Sequence, residues 1–308
     1  VEPVFAAIIA AISRFERVIL VAPDAAAAGN RLAEAGADLA KVAIYPIPGN
    51  DTWARDFGPL TVFEEDRPVL LDCGFNGWGL KFAANLDNQL NRRLTEDGAF
   101  AAPLRTIGLI LEGGSIESDG RGTILTTAEC LLNPNRNPHL SRSALEDQLA
   151  SLFGADHFLW LENGYLAGDD TDSHIDTLAR LCPDDTILYV ACDDPADEHY
   201  PALAAMAEDL RTFRTKVGRP YRLLPLPWPA AIHDDEGGRL PATYANFLVI
   251  NGAVLVPTYD DPKDDVALAT IATAFPGREV IGLDCRPLIL QHGSLHCVTM
   301  QLPRGVLP

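Results

Sequence analysis

The stretch SIESDGRGTILTT, residues 115–127, predicts two β-strands, at 115–118 and 123–127, joined by the hairpin turn DGRG at 119–122. A helix is predicted at 142–153, directly after the capping residue Ser141, and a further strand at 157–161. One unit of the fold is therefore predicted as strand, strand, helix, strand.

The same succession recurs outward from this unit in both directions, with a period of roughly sixty residues. The further strands are predicted at 17–22, 41–47, 60–63, 69–73, 104–111, 174–180, 186–191, 222–226, 244–250, 253–257, 280–283 and 295–301, and the further helices at 4–15, 25–35, 86–94, 202–213 and 264–275. Recurrence at a fixed period favours an α/β fold built by radial or stacked repetition. The paired strands inside each unit disfavour the rival, a doubly wound parallel sheet.

The charge balance limits the classes of ligand. The 308 residues contain 24 Lys and Arg against 43 Asp and Glu, a formal net charge of −19, which disfavours nucleic acid and anionic membranes as partners. An acidic protein attracts cationic ligands, although a solvated acidic surface gives the same total. The six cysteines are scattered without a CxxC pair, and neither a signal peptide nor a membrane-spanning apolar stretch is found, so a cytoplasmic location is predicted.

The clearest long loop is predicted at 228–239, where prolines precede the polar run HDDEGG at 233–238. Such a segment is either an ordinary solvated connection or a lid beside a site. We expect it to lie over the site or at its rim.

Four segments combine reactive side chains with glycines, which let a backbone approach a ligand closely. They are DTWARDFGP at 51–59, LEGGS at 111–115, GDDTDSHID at 168–176 and GSLHC at 293–297. Each segment alone also has an ordinary structural interpretation.

His174 and Asp176 begin a predicted strand, where residues i and i+2 share a face, so both side chains reach one pocket. On spacing alone, the commoner arrangement is a strand-end histidine paired with a surface carboxylate. Zinc ligation is a third interpretation, but no further histidine lies at metal-site spacing, and we expect no metal.

Cys297 is one of six cysteines, and buried cysteines are mostly inert. Its neighbour His296 is expected on the opposite face of the strand predicted at 295–301, so the base that activates Cys297 must come from elsewhere. The histidines without an acidic partner at strand spacing are expected to be structural, and these are His139, His157, His199 and His292.

Two carboxylates have both a local and a catalytic interpretation. Glu112, which precedes two glycines, either ends a strand or orients a catalytic histidine. Asp56 either pairs locally with Arg55 or holds a cation on which the indole of Trp53 stacks.

Six ordered motifs taken together are far more specific. DTWARDFGP, LEGGS, NPNRNP at 133–138, GDDTDSHID, YANF at 244–247 and GSLHC resemble the agmatine deiminase family, which is similar to the bacterial peptidylarginine deiminases within the guanidine-modifying pentein superfamily. FNGWG at 75–79 and LTTAECLL at 125–132 extend the resemblance over residues 4–302. Two departures are expected to matter: Ser294 stands where the family more often has asparagine, and the family's first segment is expected to be missing before Val1.

The resemblance implies a five-bladed, pseudo-symmetric α/β propeller of repeating ββαβ units around a central site, with residues 1–308 as a single catalytic domain. It implies that Asp56 and Asp176 bind a guanidinium group and that the thiolate of Cys297 attacks its carbon. His174 would act as general acid and then general base, while Glu112 orients and charges it.

Substrate contacts are expected at Trp53, Trp78, Asp170, Asn246, Gly113 and Gly293. For Asn246, a structural amide near the nucleophile fits the sequence equally well. No metal or organic cofactor is required by this chemistry.

Agmatine, converted to N-carbamoylputrescine and ammonia, is the favoured substrate. FNGWG, the segment in which the similar peptidylarginine-type proteins place arginines that would bind a substrate carboxylate, contains none, whereas Asp170 (or Asp169) and Trp78 suit a cationic, flexible chain. The alternatives are a peptidylarginine or free-arginine deiminase, an amidinotransferase, and a protein that binds a guanidinium compound without turnover. A homo-oligomer is compatible with the sequence; nucleic acid and membranes are not expected as partners.

Overall fold

The computed structural model describes all 308 residues, and its strands form five small, separate sheets. The strands are β1 (Val18–Val21), β2 (Val42–Tyr45), β3 (Leu60–Glu64), β4 (Arg67–Gly74), β5 (Leu104–Ile110), β6 (Ile116–Ser118), β7 (Thr123–Thr127), β8 (His157–Leu161), β9 (Ala179–Cys182), β10 (Thr186–Val190), β11 (Arg222–Leu226), β12 (Leu248–Ile250), β13 (Ala253–Thr258) and β14 (Glu279–Asp284). The helices are α1 (Glu2–Ser13), α2 (Ala25–Glu34), α3 (Ala54–Phe57), α4 (Gly77–Leu80), α5 (Leu90–Glu96), α6 (Ala128–Leu131), α7 (Arg142–Phe153), α8 (Tyr200–Thr212), α9 (Asp264–Ala274) and α10 (Arg286–Ile289). None of these helices is long and apolar enough to cross a membrane.

Four of the five sheets share one topology. In each, the first strand runs antiparallel to the middle strand, and the third strand returns parallel to the middle strand after a connection that contains a helix. For example, Glu117 of β6 lies opposite Leu125 of β7, and Leu125 lies opposite Leu159 of β8. The remaining sheet contains only the parallel pair β1 and β2. The predicted ββαβ repeat is therefore present in four sheets.

Local side-chain chemistry explains why the unit from β6 to β8 folds as the sequence predicts. Asp119 Oδ1 accepts hydrogen bonds from the backbone N–H groups of Arg121 and Thr123, which closes the hairpin turn. Ser141 Oγ accepts the N–H of Ala144 and so caps α7, as predicted. Gly154 ends α7 with a φ of +65°, a conformation that glycine adopts readily.

The core lies between the middle strands and the helices that cover them. All residues of β7 and β10 are buried. The largest apolar cluster joins α1, β10, α8, β13 and α9 through residues that include Ile8, Leu188, Leu203, Leu255 and Ile271. Burial of each such side chain contributes about 1.5–3 kcal/mol relative to leaving it exposed.

The segments that connect one sheet to the next carry the candidate site residues. Asp56 lies between β2 and β3, Glu112 between β5 and β6, His174 between β8 and β9, and Asn246 between β11 and β12, while Cys297 follows β14. Each connection therefore brings a different part of the sequence to the site.

Three predicted strands are wrong in whole or in part. Residues 174–178 are not a strand: His174 precedes a 3₁₀ turn at Ile175–Thr177, and β9 begins only at Ala179. Residues 244–247 are irregular and β12 is confined to Leu248–Ile250. Residues 295–301 form turns in which the N–H of Thr299 donates to the carbonyl of His296. In all three places, polar groups bind neighbouring backbone atoms in competition with a strand ladder.

Candidate active site

All five side chains predicted to be catalytic lie together and are buried. They are Asp56, Glu112, His174, Asp176 and Cys297, of which Cys297 is the most exposed at 8%. The Cys297 Sγ lies 4.0 Å from Asp176 Oδ2, and the two ring nitrogens of His174 lie 3.5 Å from Asp56 Oδ1 and 3.8 Å from Glu112 Oε2. The five residues come from four connections between or after sheets.

Asn246 holds the nucleophile segment in place. Its Oδ1 accepts the backbone N–H groups of His296 at 2.8 Å and Cys297 at 3.3 Å, and it lies 3.4 Å from the Cys297 Sγ. Burial, together with the charges of Asp176 and Asp56, raises the pKa of Cys297 well above its usual value. The free enzyme therefore keeps Cys297 as a thiol. Contact between Asn246 and a substrate stays a prediction.

His174 lies between two carboxylates, with Nδ1 towards Asp56 and Nε2 towards Glu112. Burial favours the neutral ring, but Asp56, Cys130 and Glu112 oppose that effect and raise the pKa of His174 well above its usual value. His174 is therefore protonated at neutral pH. Its buried Nε2 has no hydrogen-bond partner within bonding distance.

The two aspartates predicted to bind a guanidinium group are held by different donors. Asp56 Oδ1 accepts the N–H of Gly114 at 3.0 Å, and Oδ2 accepts Trp78 Nε1 at 2.9 Å, so a local pair with Arg55 does not account for its position. A cation held by Asp56 and stacked on Trp53 stays a prediction. Asp176 Oδ2 lies 2.7 Å from the Nδ1 of a buried histidine, while its buried Oδ1 has no partner. Burial raises the pKa of both carboxyl groups.

Gly114 lies at the point where His174, Asp56 and Asp176 converge. A Cβ atom at this position would lie 2.6 Å from His174 Nδ1, 2.7 Å from Asp56 Oδ1 and 3.2 Å from Asp176 Oδ2. Only a residue without a side chain leaves these three groups free to share one ligand.

Gly114→Ala is therefore expected to lower kcat/KM by about 100-fold, because a methyl group displaces the groups that must hold the reacting atoms. Gly108→Ala, in β5, is the matched control, since nothing lies within 4 Å of a Cβ there. Steady-state kinetics of both variants would test this. Equal activity of the two variants would show that Gly114 does not line the reacting centre.

Arg136, in the NPNRNP motif, is the main residue whose contribution the sequence did not reveal. Its Nε lies 2.8 Å and 3.1 Å from the two carboxylate oxygens of Glu112, and its Nη1 lies 2.6 Å from Asp172 Oδ2. Nη2 donates to the carbonyl of Thr171 at 2.9 Å. Burial raises the pKa of Glu112, but His174 and Arg136 outweigh it, and the net pKa is lowered. Arg136 thus keeps Glu112 ionised beside His174.

The prediction that His296 lies on the opposite face from Cys297 is wrong in its premise, because residues 295–301 are not a strand. The His296 ring contacts the same Asp176 oxygen that lies near the Cys297 Sγ, at 2.7 Å and 4.0 Å respectively. Its other nitrogen lies 3.1 Å from Arg180 Nη2. A base other than His296 for Cys297 stays a prediction.

Two of the predicted substrate-binding glycines pack against site segments. A Cβ at Gly293 would lie 2.2 Å from the ring of Trp53, and one at Gly113 would lie 2.2 Å from the carbonyl oxygen of Arg55. Because these two residues have no side chain, the segment that carries Trp53, Arg55 and Asp56 can pack directly against their backbone. Contact of Gly113, Gly293 or Trp53 with a substrate stays a prediction.

Asp170 is exposed and does not belong to the buried group of predicted catalytic side chains. Its side chain is 47% exposed, with Oδ2 3.9 Å from His292 Nδ1. Lys81 Nζ donates to the carbonyl of Asp170 and pairs with Asp172 at 2.7 Å. Asp170 is thus an exposed carboxylate on the loop that leads to His174.

The predicted loop at 228–239 is fixed at both ends. Asp197 Oδ2 accepts Trp228 Nε1 at 3.0 Å and Arg239 Nη2 at 2.9 Å, and Asp197 Oδ1 lies 2.7 Å from His199 Nδ1. The statement that His199 has no acidic partner is therefore wrong, because Asp197 lies two residues before it. A Cβ at Gly168 would lie 2.3 Å from the carbonyl oxygen of Arg239, so the end of the loop packs against Gly168. A position of this loop over the site or at its rim stays a prediction.

One group of side chains has the donor types of a metal site. Single donor atoms of Glu112, Cys130 and His174 lie within 4.8 Å of one another. Both oxygens of Glu112, however, already accept Arg136, whose positive charge repels a cation. These residues therefore fit an acid–base group better than a metal site.

Similarity to known proteins agrees with this geometry. Residues 1–303 match the family described as Porphyromonas-type peptidyl-arginine deiminase. The chain belongs to this family. The resemblance inferred from the motifs is thereby confirmed.

Individual proteins similar to this chain carry more specific names. A curated agmatine deiminase from Pseudomonas fluorescens is 37% identical over 321 residues, which cover 97% of this chain and 86% of that protein. A C. jejuni agmatine deiminase, solved as a cysteine-to-serine variant with substrate bound, is 40% identical with a TM-score of 0.88 and covers 96% of this chain and 85% of that one. A structure described as a candidate arginine deiminase from Porphyromonas gingivalis is 51% identical with a TM-score of 0.95, covering 99% and 90%.

Proposed function

We propose that this protein hydrolyses agmatine to N-carbamoylputrescine and ammonia through a covalent intermediate on Cys297. The observation that carries the proposal is the convergence of the His174 ring and two buried aspartates at Gly114, with the Cys297 Sγ 4.0 Å from Asp176 Oδ2. Two carboxylates and a planar cation form charge-assisted hydrogen bonds, which are the strong ones in a buried site. The agmatine deiminase relatives support the choice of reaction.

The substrate itself helps to generate the nucleophile. Asp56 and Asp176 raise the pKa of the Cys297 thiol, so a bound guanidinium that compensates their charge lowers that pKa again. The thiol proton passes to solvent, and the thiolate then forms a C–S bond to the guanidinium carbon. Attack therefore follows binding of the cation.

His174 supplies and then recovers one proton. Protonated His174 gives its proton to the departing nitrogen as the C–N bond breaks, so ammonia leaves and an amidino group stays on Cys297. The neutral ring next takes a proton from water as the water oxygen bonds to the carbon. The C–S bond then breaks, the second proton of that water leaves to solvent as the ureido C=O forms, and the Cys297 sulfur takes up a proton from solvent, which restores the thiol. Glu112, kept ionised by Arg136, stabilises the charged form of His174.

The charges around the site support an amine rather than a carboxylate at the far end of the substrate. All three buried arginines next to the site are already paired: Arg55 with Gln301, Arg136 with Glu112, and Arg180 with Glu117. Lys81 is paired with Asp172. The exposed Asp170 at the rim instead favours a cationic group.

A substrate panel tests the proposal. Agmatine, free arginine and an arginyl peptide are scored by ureido-product formation, with and without an added amine acceptor. We expect turnover of agmatine and no transfer to the amine. Activity confined to arginine or to the peptide would contradict agmatine as the substrate but not the proposed deimination. Formation of an amidinated amine would identify a transferase. Agmatine binding without any product would identify a binding protein.

The pH dependence has a definite sign. Burial raises the pKa of Asp176 to about 7, so its carboxyl group is neutral below that pH and ionised above it. Because the guanidinium stays charged throughout, kcat/KM for agmatine is expected to fall as the pH decreases through about 7, by about tenfold per pH unit below it. A pH profile of kcat/KM that stays flat down to pH 5 would contradict this assignment.

The arrangement of the five small sheets also supports a more specific fold within the α/β class. Five sheets whose connections all lead to one site fit a five-bladed propeller with residues 1–308 as one catalytic domain. A cytoplasmic location and a homo-oligomeric state stay predictions.

A further inference from the structure

His296 is buried beside the nucleophile, yet the reaction described above assigns it no role. Only 2% of the residue is exposed, and both ring nitrogens are engaged: Nδ1 lies 2.7 Å from Asp176 Oδ2, and Nε2 lies 3.1 Å from Arg180 Nη2. A ring held at both nitrogens in a buried site has a fixed orientation.

The partner on the far side determines where the ring carries its proton. A guanidinium has only donors, so Arg180 donates and the Nε2 of His296 must accept. The proton of the neutral ring is therefore on Nδ1, and it is donated to Asp176 Oδ2. Burial, together with the charges of Arg180 and Arg55, lowers the pKa of His296 well below its usual value, in agreement with a neutral ring.

Arg180 is itself fixed in place. It pairs with Glu117 at 3.0 Å and donates to the carbonyls of Ala245 at 3.0 Å and Phe247 at 2.5 Å. Its guanidinium also lies over the Phe247 ring, 4.6 Å from the centroid. The donor to His296 therefore cannot turn away without losing several contacts.

We propose that His296 is a positioning residue that, locked by Arg180, holds the Asp176 carboxylate with a neutral donor. A neutral donor fixes the carboxylate without cancelling its charge, whereas a charged histidine at 2.7 Å would compete with the cationic substrate. With the carboxylate held in this way, the second lone pair of Oδ2, which lies towards Gly114 and the Cys297 Sγ, and the buried, unpartnered Oδ1 are the acceptors left for a guanidinium N–H. The inference rests on the proposed function.

Two substitutions separate the two bonds of the ring. In His296→Asn the side-chain amide reaches the position of Nδ1 and can still donate to Asp176, while the link to Arg180 is lost. In His296→Gln the amide reaches the position of Nε2 and keeps the link to Arg180, while the donor to Asp176 is lost. The pair differs by one methylene, so each variant is the control for the other.

The measurements are KM and kcat for agmatine together with the thermal midpoint of each purified variant. We expect His296→Gln to raise KM by about ten- to a hundredfold, the effect of losing one hydrogen bond to a charged group, and His296→Asn, which keeps that donor but loses the lock by Arg180, to raise KM by a smaller factor of about three. A residue with only a structural role would change the thermal midpoint or the active fraction without this difference in KM. Equal KM values for the two variants, or an unchanged KM in His296→Gln, would overturn the inference.

The activity of the wild-type protein separates failure of the inference about His296 from failure of the proposed function. If it acts on arginine or an arginyl peptide instead of agmatine, the same comparison is made with that substrate, since the guanidinium is common to all three. If it turns over no guanidino compound, the proposed function fails and the role of His296 fails with it.

Discussion

Cys297→Ala is expected to abolish ammonia release from agmatine, with a fall in kcat of at least about 10⁴-fold. The reason is that the Cys297 Sγ lies 4.0 Å from Asp176 Oδ2, whereas the Sγ of the nearby Cys130 is grouped with Glu112 and His174. Water alone would have to attack a carbon that resonance deactivates.

Binding should survive this substitution, because the two carboxylates that hold the guanidinium remain. Isothermal titration with agmatine measures that binding, and mass spectrometry of quenched wild-type enzyme detects the amidino adduct on Cys297. Cys192→Ala is the matched control, since Cys192 is a free, only partly buried cysteine whose Sγ contacts the carbonyl of Asp194, and it should keep wild-type turnover. Turnover by Cys297→Ala above about 1% of the wild-type rate would exclude covalent catalysis by this residue.

Arg136→Met is expected to lower the free energy of unfolding by about 3–5 kcal/mol, because it leaves the buried Glu112 without its charged partner. The same change removes the pair with Asp172 and the bond to the carbonyl of Thr171. At about 2.1 cal/mol/K per residue for the entropy of unfolding, this loss lowers the thermal midpoint by about 5–8 °C.

Arg142→Met provides the comparison for that measurement. Arg142 makes a pair of similar length with Glu162, at 2.7 Å, but both side chains are about half exposed, so the expected loss is at most about 1 kcal/mol. Thermal unfolding of both variants at one scan rate gives the difference. Equal midpoints would show that the buried ion pair contributes no more to stability than the exposed one.

Much of the fold could be predicted from the sequence because local chemistry determines it. The hairpin between β6 and β7 and the capped start of α7 are specified by Asp119, Gly122 and Ser141 within their own segments. The errors at 174–178, 244–247 and 295–301 have a different origin. There, local hydrogen bonds compete with a strand ladder, and contacts distant in sequence, such as Asn246 Oδ1 with the N–H groups of His296 and Cys297, hold the backbone in the irregular path.

The same distinction separates the site residues that were predicted from those that were missed. Cys297, His174 and Asp176 stand in motifs whose residue types indicate chemistry. Arg136 stands in NPNRNP, whose residue types indicate no particular chemistry, and Arg180 stands in none of the motifs. Their partners Glu112 and Glu117 lie 24 and 63 residues away, so nothing in the local sequence pairs them. The sequence could therefore indicate the reacting groups but not the ion pairs that set their protonation.

The unpartnered His174 Nε2 and Asp176 Oδ1 have a consequence for the evolution of this enzyme. A buried polar atom without a hydrogen bond lowers the free energy of unfolding by about 1–3 kcal/mol. Both atoms therefore reduce the stability of the folded protein, although the proposed reaction needs them. A lineage released from selection for activity would therefore replace Asp176 early and gain heat resistance as it lost catalysis. His174 would be retained longer, because its loss leaves the buried Asp56 and Glu112 without a positive neighbour.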